Sequence, residues 1–137
     1  MPVIRHPQRR RTETPNAVMT TLASPTQGEA VGLAVWRVDM RCGQSGPLHA
    51  FDVEQVWTVL DGGATIELDG QSFAVEPGDT VVMPADVPRR VHCDHDRGFA
   101  AIVAAPSGAK AYAPAAPAAP TACTVPGGGP LVPAWVA

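Results

Sequence analysis

The chain has 137 residues, the size of one domain that buries roughly 70% of its unfolded surface. Charged residues make up only 17% and aromatic residues 5%, which excludes a soluble coiled coil and a charged, solvated tail. Arginines at positions 5, 9, 10 and 11 precede a body with an excess of acidic side chains, and this balance argues against nucleic acid as a partner.

The cysteines and the hydropathy pattern indicate the cellular compartment in which the protein is expected. Cys42, Cys93 and Cys123 are an odd number at wide spacing, which favours neither a disulfide framework nor a cysteine-rich zinc site. The arginines lead into polar residues rather than an apolar segment, so no signal peptide is predicted. No stretch reaches the roughly 20 apolar residues that a membrane-spanning helix requires. We therefore expect a cytoplasmic protein with no membrane partner.

Three regions follow one another along the chain. Residues 1–16 are polar, basic and interrupted by prolines, and they are predicted to form a flexible N-terminal arm. Residues 17–105 are predicted to form an all-β domain, a sandwich or a barrel. Residues 106–137 are an Ala/Pro/Gly-rich tail that is predicted to be largely extended. The tail either docks onto the body or onto a partner subunit through Trp135, or stays disordered.

Short strands and strong turn signals alternate in the predicted barrel. Val18–Leu22 is a β-branched run, and residues 31–40 form a longer strand. Turns are predicted at Asp61-Gly62-Gly63, Asp69-Gly70 and Pro77-Gly78-Asp79. No segment before residue 104 has a sustained period of 3.6 residues, so the pattern predicts an all-β sandwich or barrel.

Two motifs in the middle of the chain carry the functional signal. The first runs from Gly46 to Gly62 and reads GPLHAFDVEQVWTVLDG, and the second runs from Glu76 to Arg89 and reads EPGDTVVMPADVPR. Their histidine, proline and glycine positions resemble the two signature motifs of the cupin superfamily, in particular the small monodomain cupins. The resemblance covers residues 30–105 and implies a double-stranded β-helix, the cupin jelly-roll barrel. It also implies a homodimer, in which Val18–Leu22 could be exchanged between subunits.

The resemblance implies a metal-binding motif that is degenerate in this chain. The family's first motif supplies H-x-H and a glutamate, and its second supplies a final histidine. Here His49 keeps the first position, Phe51 and Gln55 replace the second histidine and the glutamate, and Arg89 replaces the last histidine. A fixed cation ~4 Å from a divalent ion would cost on the order of 8 kcal/mol at an effective dielectric near 20. The predicted cofactor is therefore none, or a weakly held Fe, Zn, Ni or Mn ion.

A rebuilt metal site is one alternative. It would use His49, Gln55 and His92, but one residue along a strand moves a side chain to the other face. His92 would therefore join the other two only through a bulge. The other interpretation leaves His92 facing solvent.

Strand alternation predicts a pocket that could also work without a metal. The side chains predicted to line it, in addition to His49 and Arg89, are Phe51, Gln55, Trp57, Trp36, Met40 and Cys93. His49 is the predicted proton shuttle, because its pKa lies near neutrality. Arg89 is the predicted catalytic anion stabiliser, since a guanidinium suits a carboxylate or an enolate oxygen. The expected ligand is a small molecule that is anionic, aromatic or both.

Two classes of function fit such a pocket. The first is a metabolic or biosynthetic enzyme, an isomerase, cyclase or lyase, with oxygenase chemistry if a metal is held. The second is a non-catalytic metabolite-binding or sensor protein, because loss of metal ligands is what drift towards pure binding would produce. A structural protein with a filled barrel is a third hypothesis.

Overall fold

The fold is built from antiparallel strands, and the computed structural model describes residues 3–114 and 130–137. The strands are β1 Arg10–Glu13, β2 Val18–Ala23, β3 Leu33–Met40, β4 Ala50–Phe51, β5 Gln55–Gly62, β6 Ala64–Leu68, β7 Gln71–Val75, β8 Thr80–Met83, β9 Arg89–Cys93, β10 Phe99–Pro106 and β11 Ala111–Tyr112. A short 3-10 turn, His6–Gln8, precedes them. Within the described ranges, no helix has the length and apolar character needed to cross a membrane.

The strands form two larger sheets and one small one. The six-stranded sheet has the order β1-β2-β3-β10-β5-β8, the three-stranded sheet has the order β7-β6-β9, and β11 pairs with β4. A single hydrophobic cluster takes Trp36 and Val103 from the first sheet and Ile66 and Val91 from the second. The core therefore lies between these sheets. This arrangement confirms the predicted all-β jelly-roll class.

Alternation along each strand decides which side chains face the core. In β3 the buried positions are Ala34, Trp36, Val38 and Met40, with half-buried or exposed residues between them. Strands β5 and β9 show the same period of two. Apolar and polar residues alternate because one face of the sheet meets the core and the other meets solvent.

The turns predicted at Asp69-Gly70 and Pro77-Gly78-Asp79 lie between strands, whereas Asp61 and Gly62 belong to the end of β5, where the fold requires glycine at position 62. Gly62 ends β5 with a φ of +72°, and a Cβ atom there would collide with the carbonyl oxygen of Gly98. At this point the chain leaves the six-stranded sheet and enters β6 of the three-stranded sheet. Only glycine combines the left-handed backbone with such a close approach of another strand.

The N-terminal arm predicted as flexible contains a strand of the larger sheet. Strand β1 pairs with β2 in register from Arg10 opposite Thr21 to Glu13 opposite Val18. Its sequence is wholly polar because an edge strand needs no buried side chains, so hydrophobic periodicity could not reveal it. Strand β2 lies between β1 and β3 of the same chain.

The last described residues also contact the barrel. Val136 is fully buried, and the Thr21 hydroxyl donates to the carbonyl oxygen of Trp135 over 2.8 Å. We call residues 12–17 and 130–137 together the roof, because both segments cover the same side of the core. Residues 115–129, which include Cys123 and most of the predicted Ala/Pro-rich stretch, lie outside the described residues.

Candidate functional site

A cavity of about 410 Å³ lies between the inner face of the barrel and the roof. Its inner wall comes from β3, β5 and β9 and from the segment that leads into β4. Roof residues 12–17 and Trp135 close the other side. The volume falls within the roughly 300–1,000 Å³ that is typical of small-molecule sites.

Six of the nine predicted site residues line this cavity, and three do not. The lining residues are Trp36, Met40, His49, Phe51, Gln55 and Trp57. The residues absent from the lining are Arg89, His92 and Cys93. The structure therefore brings together only part of the predicted pocket, and the position of each of the three other residues has a physical cause.

One ring nitrogen of His49, Nε2, has no hydrogen-bond partner in the part of the chain that the structure describes. Its backbone bridges that of Arg89, with hydrogen bonds of 3.1 and 2.8 Å, and this pair fixes the start of the first motif against β9. The Nδ1–H donates to the carbonyl oxygen of Pro47 over 2.8 Å, so Nε2 carries the lone pair of the neutral ring. Burial lowers the pKa of His49, and the Arg89 cation lowers it further, against the raising effect of the Pro47 carbonyl. The side chain is therefore a neutral base at neutral pH.

Gln55 is fully buried, and the orientation of its amide is fixed by two donors. The Trp57 Nε1–H donates to Gln55 Oε1 over 3.1 Å, and Arg89 NH1 donates to the same oxygen over 3.4 Å. Neither donor can accept a hydrogen bond, so both must meet the oxygen rather than the nitrogen. The amide Nε2 is left buried without a hydrogen-bond partner among the described residues. An unpaired donor in a cavity wall is costly unless a ligand or water pairs with it.

Arg89 has a different environment from the one predicted. It is fully buried, and two more of its five N–H donors reach the carbonyl oxygens of Val87 at 2.9 Å and Pro84 at 2.7 Å. The Phe51 ring lies 5.8 Å from the guanidinium carbon and 5.4 Å, edge-on, from the His49 ring. Burial lowers the pKa of Arg89 to about 10, so the side chain is still a cation at neutral pH. Arg89 therefore holds Gln55 and the 84–88 loop, and it lies outside the cavity lining in which it was predicted to meet an anionic ligand.

Cys93 also lies outside the cavity. Its thiol is buried near the carbonyl oxygens of Arg97, at 3.3 Å, and Met40, at 3.8 Å. Burial raises the pKa of this thiol. Alternation placed Cys93 correctly on the inner face of β9, but it lies too far along the strand to reach the cavity.

His92 lies on the opposite face of β9 from Arg89 and Val91. Its Nε2–H donates to Glu67 Oε1 over 2.7 Å, and its Nδ1 lies 2.7 Å from the Ser45 hydroxyl. No bulge turns the strand at this point, since β9 and β6 stay in continuous register. The predicted trio of His49, Gln55 and His92 is therefore not brought together.

The residues present do not fit the metal that the first motif implies. Among residues 3–114 and 130–137, no three His, Cys, Asp or Glu side chains form a group that could hold a metal ion. The amide oxygen of Gln55 already accepts two hydrogen bonds, and its nitrogen is a donor that cannot ligate. His49 Nε2 is then the one ligand atom that the predicted set offers, and the nearby Arg89 cation opposes a divalent ion.

We expect the purified protein to retain well under one equivalent of metal after incubation with iron, zinc, nickel or manganese and desalting. The reason is that one imidazole nitrogen cannot replace the three or four protein ligands that such ions require. Elemental mass spectrometry of wild type beside His49→Ala provides the check. Near-stoichiometric metal that disappears in the variant would contradict the expectation.

Sequence reasoning missed the roof. Residues 12–17 line the cavity although they carry no motif, and Glu13 among them is paired with Arg11 at 3.3 Å. Trp135 was the one available signal, because an isolated aromatic residue in an Ala/Pro-rich tail favours docking. The structure places it half-buried in the cavity wall.

The chain is similar to known proteins both in sequence and in fold. A family model described as a cupin domain matches residues 36–104. The polyketide cyclase RemF from Streptomyces resistomycificus superposes with a TM-score of 0.67 at 19% identity, covering 77% of this chain and 79% of that one. DMSP lyase DddQ from Ruegeria pomeroyi DSS-3 gives 0.64 at 23% identity, with coverage of 72% and 56%. KdgF from Halomonas sp. gives 0.63 at 18% identity, with coverage of 76% and 92%. No curated protein matches the chain.

Proposed function

Because this chain belongs to the cupin family, we propose that it binds a small carbonyl compound in its cavity and catalyses a proton transfer on it, as an isomerase, cyclase or lyase does. One observation carries the proposal. The side chains of His49 and Gln55 line the same cavity, and among the described residues the His49 ring Nε2 and the buried Gln55 amide Nε2 have no hydrogen-bond partner. These are the groups that proton abstraction next to a carbonyl requires.

The proposed step uses His49 as the base and Gln55 as the hydrogen-bond donor. His49 Nε2 takes a proton from the carbon beside the carbonyl, and the electrons of the broken C–H bond move onto the carbonyl oxygen. The enolate oxygen then accepts a hydrogen bond from Gln55 Nε2. Return of the proton to another carbon gives isomerisation, attack on a second carbonyl gives cyclisation, and expulsion of a β-substituent gives elimination.

Arg89 has a supporting role in this scheme. Its guanidinium and the Trp57 indole hold the Gln55 oxygen, and this fixes the amide nitrogen in the position from which it can donate. Arg89 is thus a positioning residue. The cavity itself argues against the third hypothesis, a structural protein with a filled barrel.

The structures with this fold include a polyketide cyclase and a DMSP lyase. Both are less than 25% identical to this chain, so they support its fold alone. The choice among isomerase, cyclase and lyase therefore depends on turnover data. A homodimer and a cytoplasmic location also stay predictions.

The direct test is hydrogen–deuterium exchange of 2-tetralone, an enolisable aromatic ketone, followed by proton NMR in D₂O. We expect the protein to accelerate loss of the α-proton signals well beyond the same concentration of free imidazole. If the protein binds 2-tetralone but matches imidazole in rate, the catalytic proposal fails. The rival function, non-catalytic metabolite binding, would then hold, and the largely apolar cavity wall already favours tight binding without chemistry.

The pH dependence of exchange follows from the lowered pKa of His49. The base must be neutral, and burial keeps it neutral below the ordinary pKa of 6.5. We expect kcat/KM for exchange to hold as the pH falls to 6.5 and to decline only at lower pH. An acidic limb centred above 6.5 in the pH–rate profile would contradict this assignment.

The lowered pKa of His49 also predicts that the free energy of unfolding falls as the pH drops below 6.5. In that range the unfolded chain binds the proton more readily than the folded chain does.

A further inference from the structure

We infer that the cavity selects an uncharged, planar aromatic ligand that carries one hydrogen-bond acceptor. This inference deepens the proposed function and rests on it, since both concern the same cavity. It replaces the broader sequence-based expectation of a ligand that is either anionic or aromatic. Three properties of the cavity wall lead to it.

The first property is the lack of an accessible cation. Among the described residues that line the cavity, Glu13 is the one Asp, Glu, Lys or Arg side chain, and it is acidic. The Arg89 guanidinium lies outside the lining and donates to Gln55 and to the carbonyl oxygens of Pro84 and Val87. A carboxylate entering this cavity would lose its hydration without a direct ion pair, and the Arg89 cation, which lies outside the lining, could attract it only from a distance.

The second property is the concentration of aromatic surface. All three tryptophans of the chain line this one cavity, Trp36 and Trp57 from the barrel and Trp135 from the roof. The Trp57 ring is stacked on Phe99 at 6.5 Å with an interplanar angle of 22°, which holds it from behind. Its indole N–H is already bonded to Gln55, so the part of this largely buried ring that lines the cavity offers apolar surface to a ligand. Flat rings are the ligands that such surfaces bind best.

The third property is the unpaired donor of Gln55. Because its oxygen is held by Trp57 and Arg89, the amide cannot rotate to offer an acceptor without leaving those two donors unpaired. A ligand with a hydrogen-bond acceptor, such as a ketone oxygen, is therefore favoured, because it can pair with the Gln55 N–H. A hydroxyl would satisfy it equally through its lone pairs. An aromatic hydrocarbon would leave the donor unpaired.

Three probes of the same ring size separate these requirements: 2-acetonaphthone, 2-naphthoate and naphthalene. Binding is measured from the indole N–H signals of the three tryptophans in NMR titrations at pH 7.5. We expect 2-acetonaphthone to bind at least about 10-fold more tightly than 2-naphthoate, which must bury an unpaired charge. We expect it to bind about 3- to 10-fold more tightly than naphthalene, as one hydrogen bond allows.

Gln55→Leu tests the donor. This variant should bind 2-acetonaphthone and naphthalene with equal affinity, while Gln71→Leu on an exposed strand serves as the matched control and should keep the wild-type preference. Should Gln55→Leu fail to fold, Gln55→Met gives the same comparison with an unbranched side chain. Equal affinities for ketone and hydrocarbon in wild type would overturn the role of the donor.

Tightest binding of 2-naphthoate, or no binding of any probe, would overturn the inferred ligand class. Failure of the inferred ligand class can be distinguished from failure of the proposed proton transfer. Preferred binding of the ketone without exchange of 2-tetralone would remove the catalysis and keep the ligand class. Exchange that 2-naphthoate inhibits more strongly than 2-acetonaphthone would keep the catalysis and remove the ligand class.

Discussion

Replacing His49 with Gln is expected to lower the rate of 2-tetralone exchange by about 10²- to 10⁴-fold, the usual contribution of a general base. Glutamine can still donate to the Pro47 carbonyl through its amide, but it has no basic nitrogen. Binding of 2-acetonaphthone should change by less than about 3-fold, since an amide conserves most of the side-chain volume. The expected result is therefore a large loss of exchange rate with little change in affinity. A merely structural role for His49 would not produce this combination.

His95→Gln is the matched control for this experiment. His95 is exposed and lies outside the cavity lining, so its variant should exchange at the wild-type rate. A His49→Gln protein that keeps its affinity and loses less than about 3-fold in rate would remove His49 from the mechanism. Loss of affinity and rate in equal proportion would show a binding role instead.

Replacing Arg89 with Met is expected to lower the free energy of unfolding by about 3 kcal/mol and Tm by on the order of 10 °C. The side chain is fully buried, and its loss leaves the carbonyl oxygens of Pro84 and Val87 without these partners. Gln55 also loses one of the two donors that orient it. Methionine fills much of the volume, so the deficit comes mainly from unpaired acceptors. Urea unfolding followed by circular dichroism provides the measurement.

Arg90→Met separates this effect from a general loss of positive charge. Arg90 is the next residue of β9, lies on the opposite face, and has its Nε buried without a hydrogen-bond partner among the described residues. Its replacement should change the free energy of unfolding by less than about 1 kcal/mol. Equal destabilisation by both variants would contradict the role assigned to Arg89. Arg89→Lys should not restore full stability, because an ammonium group lacks the fork that reaches several acceptors at once.

The sequence was sufficient to predict the barrel and the cavity face of β5. A period of two places Gln55, Trp57 and Val59 on one side, and the Asp61-Gly62-Gly63 signal marks where the strand ends. The same period correctly placed Arg89 and Cys93 inside and His92 outside. These are local properties, since backbone pleating alone sets them.

The fate of Arg89 could not be predicted in the same way. Alternation gives the face of a side chain, but the direction of a long guanidinium depends on where the 84–88 loop turns its carbonyl groups. The roof was hidden for a related reason. Residues 12–17 and Trp135 line the same cavity only because segments far apart in sequence fold over the same side of the core, and no local pattern encodes that placement.

The roof has a consequence for how the protein is made. It is tied to the barrel by contacts between residues far apart in sequence, such as Arg10 with Ala137 and Thr21 with Trp135, separated by 127 and 114 positions. During synthesis, all eleven strands leave the ribosome before residues 130–137 do. The nascent barrel can therefore fold before residues 130–137 cover it, and the cavity is completed only afterwards. Ligand binding would then stabilise the finished protein without acting as a template for the folding of the barrel.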